Sequence, residues 1–255
     1  MKTDFISEAY MIRFILAIAW TVFFLIISIP IIFIEWLIGF IWPHAKARSS
    51  QWIVMRAFQM LVWISGATLT VIGEENVPKD RPVLYTPNHR SIFDIIITYI
   101  RCPRQTGYVS KKEMKKVPIF SIWMLFMNCQ FLDRSDLRAG LKMINRCVEL
   151  VKDGTSICIF PEGTRNKTDE VDIMEFHEGS FKIAEKTGCP IVPVTINNSD
   201  QVFEAHFPKI KKAHVIIEYA PPIETAGLSR EDFRRLSGEV HDIIETTYRK
   251  NKELV

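Results

Sequence analysis

From Phe14 to Ile34 the chain runs for 21 residues without a formal charge, and Thr21 and Ser28 are its only hydroxyls there. A helix apolar on all sides over this length exceeds what a 255-residue chain usually buries in one core, so the segment points to lipid. After Glu35 the apolar pattern resumes from Trp36 to Trp42. A secretory signal would have a shorter apolar stretch and a small-residue cleavage site. Pro30 divides the stretch, because proline removes a backbone donor and clashes with the turn before it. About 16 residues precede it, rising roughly 24 Å at ~1.5 Å per residue, short of a ~30 Å hydrocarbon core. The expectation is a hairpin of two short apolar helices dipping into one leaflet, with Trp36, Trp42, Lys46 and Arg48 near the headgroups. A kinked spanning helix and soluble packing are the alternatives. Residues 1–46 are assigned to this anchor and 47–255 to a single further domain.

Beyond the anchor, Trp52 to Ile64 reads as an amphipathic helix, and then the pattern changes character. Strands are expected at Thr68–Ile72, Val83–Thr86, Gly107–Ser110, Cys129–Leu132, Ser156–Phe160, Ile191–Ile196 and Val215–Tyr219. Helices fit Ile92–Ile100, Ile119–Phe126, Asp136–Lys152, Ser180–Lys186 and Arg230–Lys250. Such alternation predicts an α/β fold, a largely parallel sheet flanked by helices. Five cysteines, with no Cys-x-x-Cys pair, suit reduced thiols rather than a disulfide frame or a zinc site. The balance of 32 Lys+Arg against 29 Asp+Glu selects no polyanionic partner.

The segment from Val83 to Asp94 runs strand, turn, helix, the place where α/β sheets collect their sites. His89 can accept a proton near neutrality, and a carboxylate on its other ring nitrogen would fix the tautomer. Asp94 is the candidate. Five residues on one helix turn about 140°, so the two meet only if His89 lies in the turn and Asp94 in the first helical turn. The same Ser91-x-x-Asp94 spacing is a capping-box pattern, which gives Asp94 a purely structural alternative.

A second patch, Pro161-Glu162-Gly163-Thr164-Arg165, directly follows another expected strand. Its hydroxyl and guanidinium fork suit a phosphate ester, although an ordinary turn with a surface Arg has the same composition. Lys111 and Arg134 end two further strands. In a parallel sheet these ends share an edge, so cationic groups surround one His/Asp pair and imply an anionic substrate undergoing proton abstraction. Nucleic acid is disfavoured, since the basic sites lack interleaved aromatics.

Four motifs now stand in order. Asn88 to Asp94 has the form NHxSxxD, and Phe160 to Arg165 reads FPEGTR. Lys111, Met114, Ser121 and Arg134 fall at the spacing of K-x₂-L-x₆-G-x₁₂-R, with Met for Leu and Ser for Gly. Val192-Pro193-Val194-Thr195-Ile196 completes the set. Over about residues 80 to 200 the sequence resembles the glycerolipid acyltransferase family, in particular its branch acting on 1-acyl-sn-glycerol 3-phosphate (lysophosphatidate).

That resemblance implies a reaction in phospholipid biosynthesis. His89 takes the proton from the free sn-2 hydroxyl of lysophosphatidate, which attacks an activated acyl carbonyl to give phosphatidate, and Asp94 orients His89. Lys111, Arg134 and Arg165 hold the phosphate, while Glu162, Gly163 and Thr164 shape the glycerol site. The donor is already activated, whether a coenzyme A thioester, an acyl carrier protein thioester or an acyl phosphate. No enzyme nucleophile, cofactor or metal is therefore implied. Lys209 to Lys212 suit an acidic carrier protein or an anionic leaflet, and the expected location is the membrane at its cytoplasmic face. Three rivals stay open: acylation of another lysophospholipid or of glycerol 3-phosphate, a lipid hydrolase, and a non-catalytic membrane module that binds anionic lipid. The chain has no Gly-x-Ser-x-Gly elbow, which weighs against the hydrolase.

Overall fold

The computed structural model describes residues 2–168 and 172–255. Its strands are β1 (Thr68–Ile72), β2 (Leu84–Pro87), β3 (Thr106–Lys111), β4 (Gln130–Leu132), β5 (Ser156–Cys158), β6 (Ile191–Asn197) and β7 (His214–Tyr219). They form one seven-stranded sheet in the order β1-β7-β6-β2-β5-β3-β4. Every neighbouring pair is parallel except β6 and β7. All seven expected runs are strands, and the sheet is largely parallel as the alternation of elements predicts. The helices are α1 (Lys2–Ile41), α2 (Pro43–Ser65), α3 (Ile92–Tyr99), α4 (Phe120–Phe126), α5 (Leu137–Lys152), α6 (Lys182–Thr187) and α7 (Arg230–Lys252).

Strand period explains why the sheet carries a core on each face. Tyr85, Tyr108, Cys158, Val192 and Ile217 point to one side, where α2, α3 and α4 pack. Their neighbours Leu84, Ile157 and Ile191 point to the other, where α5, α6 and α7 pack. α7 earns its place by spacing alone: Leu236, Val240, Ile244 and Tyr248 recur every fourth residue and are all buried.

The anchor differs from expectation. α1 does not end at Pro30 but continues to Ile41, and the hairpin turns at Trp42, with Pro43 opening α2. Pro30 lies on the exposed side of α1, away from the stripe by which the helix packs on the rest of the chain. The turns around it are held from the other side. Trp20 donates to the Ala57 carbonyl at 3.1 Å, Phe24 stacks on Trp123 at 6.0 Å, and buried Glu35 accepts from Ser49 at 2.8 Å. These contacts follow one stripe along α1. The opposite face leaves Phe23, Ile26, Phe33, Trp36, Phe40 and Ile41 exposed, and α2 adds Trp52 and Trp63.

The expected division after residue 46 falls inside α2. That helix is tied to the sheet by Gln51, which donates to the Arg104 carbonyl and accepts from Thr106 N–H, both at 2.8 Å.

Candidate active site

Five parallel strands, β4, β3, β5, β2 and β6, deliver their C-terminal ends to one edge of the sheet. On this edge lie Asn88 to Asp94 after β2, Lys111 at the end of β3, Arg134 after β4 and Phe160 to Arg165 after β5. The common rim predicted for these groups is the rim observed.

His89 stands in the turn and Asp94 is the third residue of α3, the arrangement their spacing requires. His89 Nδ1 lies 2.8 Å from Asp94 Oδ2. The same oxygen accepts the N–H groups of Arg90 and Ser91, both at 2.7 Å. An ionised Asp94 only accepts, so Nδ1 donates to it, and in the neutral form of the ring the lone pair then falls on Nε2. The capping-box reading is also correct. The Ser91 hydroxyl accepts from Phe93 N–H at 2.9 Å, and Asp94 closes the box. One carboxylate therefore starts the helix and orients the His89 ring.

His89 is fixed from several further directions. Its ring stacks on Phe160 with centroids 4.0 Å apart. Its N–H donates to Glu162 Oε1 at 2.5 Å, and its carbonyl accepts from Asn166 N–H at 2.7 Å. The preceding Asn88 grips β6 through both ends of its amide, donating to the Ile196 carbonyl at 2.9 Å and accepting from Ile196 N–H at 2.7 Å. These contacts hold the part-buried His89 against β6 and the turn after β5, and Nε2 makes no hydrogen bond among the described residues.

Glu162 is buried and also accepts from Met174 N–H at 3.0 Å. Burial pushes its carboxyl up to about 7, because loss of water outweighs the two N–H donors that favour the charged form. Glu162, expected at the glycerol site, thus also ties the main chain of His89 to that of Met174. Gly163 has φ of 71°, and a Cβ there would lie 2.9 Å from the His177 ring, so any larger residue would be strained unless that ring moved.

The cations differ among themselves. Lys111 and Arg134 are exposed and form no ion pair among the described residues. Arg165 instead meets Glu204 Oε1 at 2.8 Å. Glu204, in the loop after β6, also accepts the Ser91 hydroxyl at 2.5 Å and Ile92 N–H at 2.8 Å. Glu204 carries no signal in the sequence, since no motif or period marks a residue 113 positions from its serine partner. Asn88, Phe160 and Asn166 were missed as supports although the first two lie inside the motifs.

The chemistry follows from what is engaged. Ser91 is fully buried, and its oxygen both accepts a hydrogen bond and donates one, so it is no nucleophile. All five cysteines are buried, and burial raises each thiol above its ordinary range. What remains is the His89 imidazole beside the Asp94 carboxylate, on a rim with cations. This arrangement suits deprotonation of a hydroxyl on an anionic molecule.

Comparison with known proteins agrees. The profile of the family described as Acyltransferase matches residues 68–197. A 1-acyl-sn-glycerol-3-phosphate acyltransferase of Saccharomyces cerevisiae is 30% identical over 207 residues, covering 80% of this chain and 68% of its own length. A protein of the same name from Borreliella burgdorferi is 31% identical over 197 residues, covering 76% of this chain and 77% of its own. The crystal structure of the 1-acyl-sn-glycerophosphate (LPA) acyltransferase PlsC from Thermotoga maritima superimposes with a TM-score of 0.71 at 24% identity, covering 94% of this chain and 98% of that one.

Proposed function

The chain belongs to the acyltransferase family and is an acyltransferase enzyme, and from that premise we propose that it esterifies the sn-2 hydroxyl of lysophosphatidate to give phosphatidate. The observation that carries this reading is the His89–Asp94 pair on the sheet edge that also bears Lys111, Arg134 and Arg165. The acceptor named for the similar proteins supports it.

In the proposed reaction, His89 Nε2 removes the proton as the sn-2 oxygen bonds to the acyl carbonyl carbon. Asp94 stabilises the imidazolium that forms. The tetrahedral intermediate then collapses, the bond from carbon to the leaving thiolate or phosphate breaks, and His89 can return the proton to that group. Lys111, Arg134 and Arg165 hold the phosphate, and Gly163 and Thr164 border the glycerol. The donor is an activated acyl group, a thioester of coenzyme A or of an acyl carrier protein, or an acyl phosphate.

Purified protein supplied with lysophosphatidate and an acyl thioester should accumulate phosphatidate, with free fatty acid a minor product. Fatty acid as the main product would make the protein a hydrolase, and lipid binding without turnover would make it a binding module. Preferential use of glycerol 3-phosphate would move the acceptor.

We further propose that α1 and α2 lie within one leaflet and place the site at the cytoplasmic face. α1 has an apolar stretch from Glu8 to Ile41, long enough by length and composition to cross a bilayer. Yet its packed stripe follows α2 and the catalytic domain from Trp20 to Glu35, which leaves only the opposite face for lipid. Reporters fused ahead of Met1 and after Val255 should therefore lie on the same side of the membrane. Opposite sides would establish a span and end the leaflet reading.

A further inference from the structure

Glu204 joins two parts of the site that the motifs leave unconnected. Its carboxylate is held by the first turn of α3, through Ser91 Oγ at 2.5 Å and Ile92 N–H at 2.8 Å. Neither of those two bonds involves Arg165. The remaining bond, from Arg165 Nη1 at 2.8 Å, then ties the guanidinium to the helix that carries Asp94. A guanidinium offers five N–H donors, and this pair engages one nitrogen while the Arg165 side chain stays 39% exposed. The rest of the fork is open to a ligand. An arginine at the end of a turn would otherwise sample many rotamers, and ordering it would weaken whatever it binds.

We propose that Glu204 is a positioning residue for the acceptor: it pins the Arg165 fork at the N-terminus of α3, so that a phosphate monoester held there presents its neighbouring hydroxyl to His89. This rests on the reading of the acceptor as lysophosphatidate. Glu204 touches neither the reacting atoms nor His89; it acts through Arg165.

The test is a double-mutant cycle of Glu204→Gln and Arg165→Ala on the full chain in mixed micelles, with lysophosphatidate and an acyl thioester. Glutamine keeps the length and a carbonyl for Ile92 N–H but loses the charge that holds Arg165. The single variant should raise KM for lysophosphatidate about tenfold, the low end for a charge-assisted contact because the pair is partly exposed. Its kcat should stay within about twofold of wild type, with the same pH dependence, since the His89–Asp94 pair is intact. In the Arg165→Ala background the added change should cost less than about twofold.

An unchanged KM overturns the proposal. So does an equal loss in both backgrounds, or a loss carried by kcat with a shifted pH profile, because each would place Glu204 in the capping of α3 instead. Failure of the underlying reading looks different: the wild-type protein itself would ignore lysophosphatidate and acylate another acceptor. The same cycle run on that acceptor would then decide Glu204 by the same outcomes.

Discussion

His89→Ala should lower kcat by about 10²–10⁴-fold, the usual scale for losing a positioned general base. The fold should survive this change. His89 contributes a ring stacked on Phe160 and a bond to Asp94, whereas the capping of α3 runs through the Asp94 side chain and the N–H groups of Arg90 and Ser91, which alanine at 89 leaves in place. Asp94→Asn is a less clean experiment, because Asp94 Oδ2 serves the His89 ring and the helix start together. An amide there presents an N–H as well as an oxygen, so it can stabilise the wrong tautomer of His89 and weaken the cap at once. Thermal unfolding separates the two effects: His89→Ala should melt close to wild type and Asp94→Asn below it. Turnover measured at saturating donor decides the mechanism. Retention of more than about a tenth of wild-type kcat in His89→Ala would mean that another group takes the proton.

The pair was legible in the sequence because its constraint is local. His89 and Asp94 are five positions apart, and only a turn followed by a helix start brings them together. The sheet was legible for a similar reason: β-rich runs at the right intervals give strands, and consecutive strands bridged by helices give parallel ends on one edge. β5 shows where that reasoning stops. The apolar run continues to Phe160, but the strand ends at Cys158, and Phe160 stacks on His89 instead of extending the ladder. Pro30 shows a different limit. A proline's local penalty was visible, whereas the packing of α1 on α2 and α4 that carries the helix through it is tertiary. Glu204 marks the furthest limit, since its three partners come from the start of α3 and the turn after β5.

Charge at the rim gives the second large effect. If Lys111, Arg134 and Arg165 read a phosphate monoester, each Ala substitution should lower kcat/KM for lysophosphatidate by roughly 10–150-fold, the range for a charge-assisted hydrogen bond of ~1.5–3 kcal/mol. Lys111 and Arg134 are exposed, so solvent screening places them toward the lower end of that range. Arg165 is less exposed and already oriented, and its loss also leaves Glu204 without its cation, so it should be the most damaging of the three. Arg165→Lys should recover only part of the activity, since an ammonium cannot span Glu204 and a phosphate with a planar fork. The headgroup is the control that separates recognition from structure. A lysolipid with a choline headgroup retains one phosphate charge and adds bulk and a cation, so wild type should strongly prefer the monoester. Removing any of the three cations should narrow that preference, because the dianion loses more than the zwitterion does. Equal losses on both lipids would assign these residues to folding rather than to the acceptor. A wild-type preference for the choline lipid would overturn the acceptor itself.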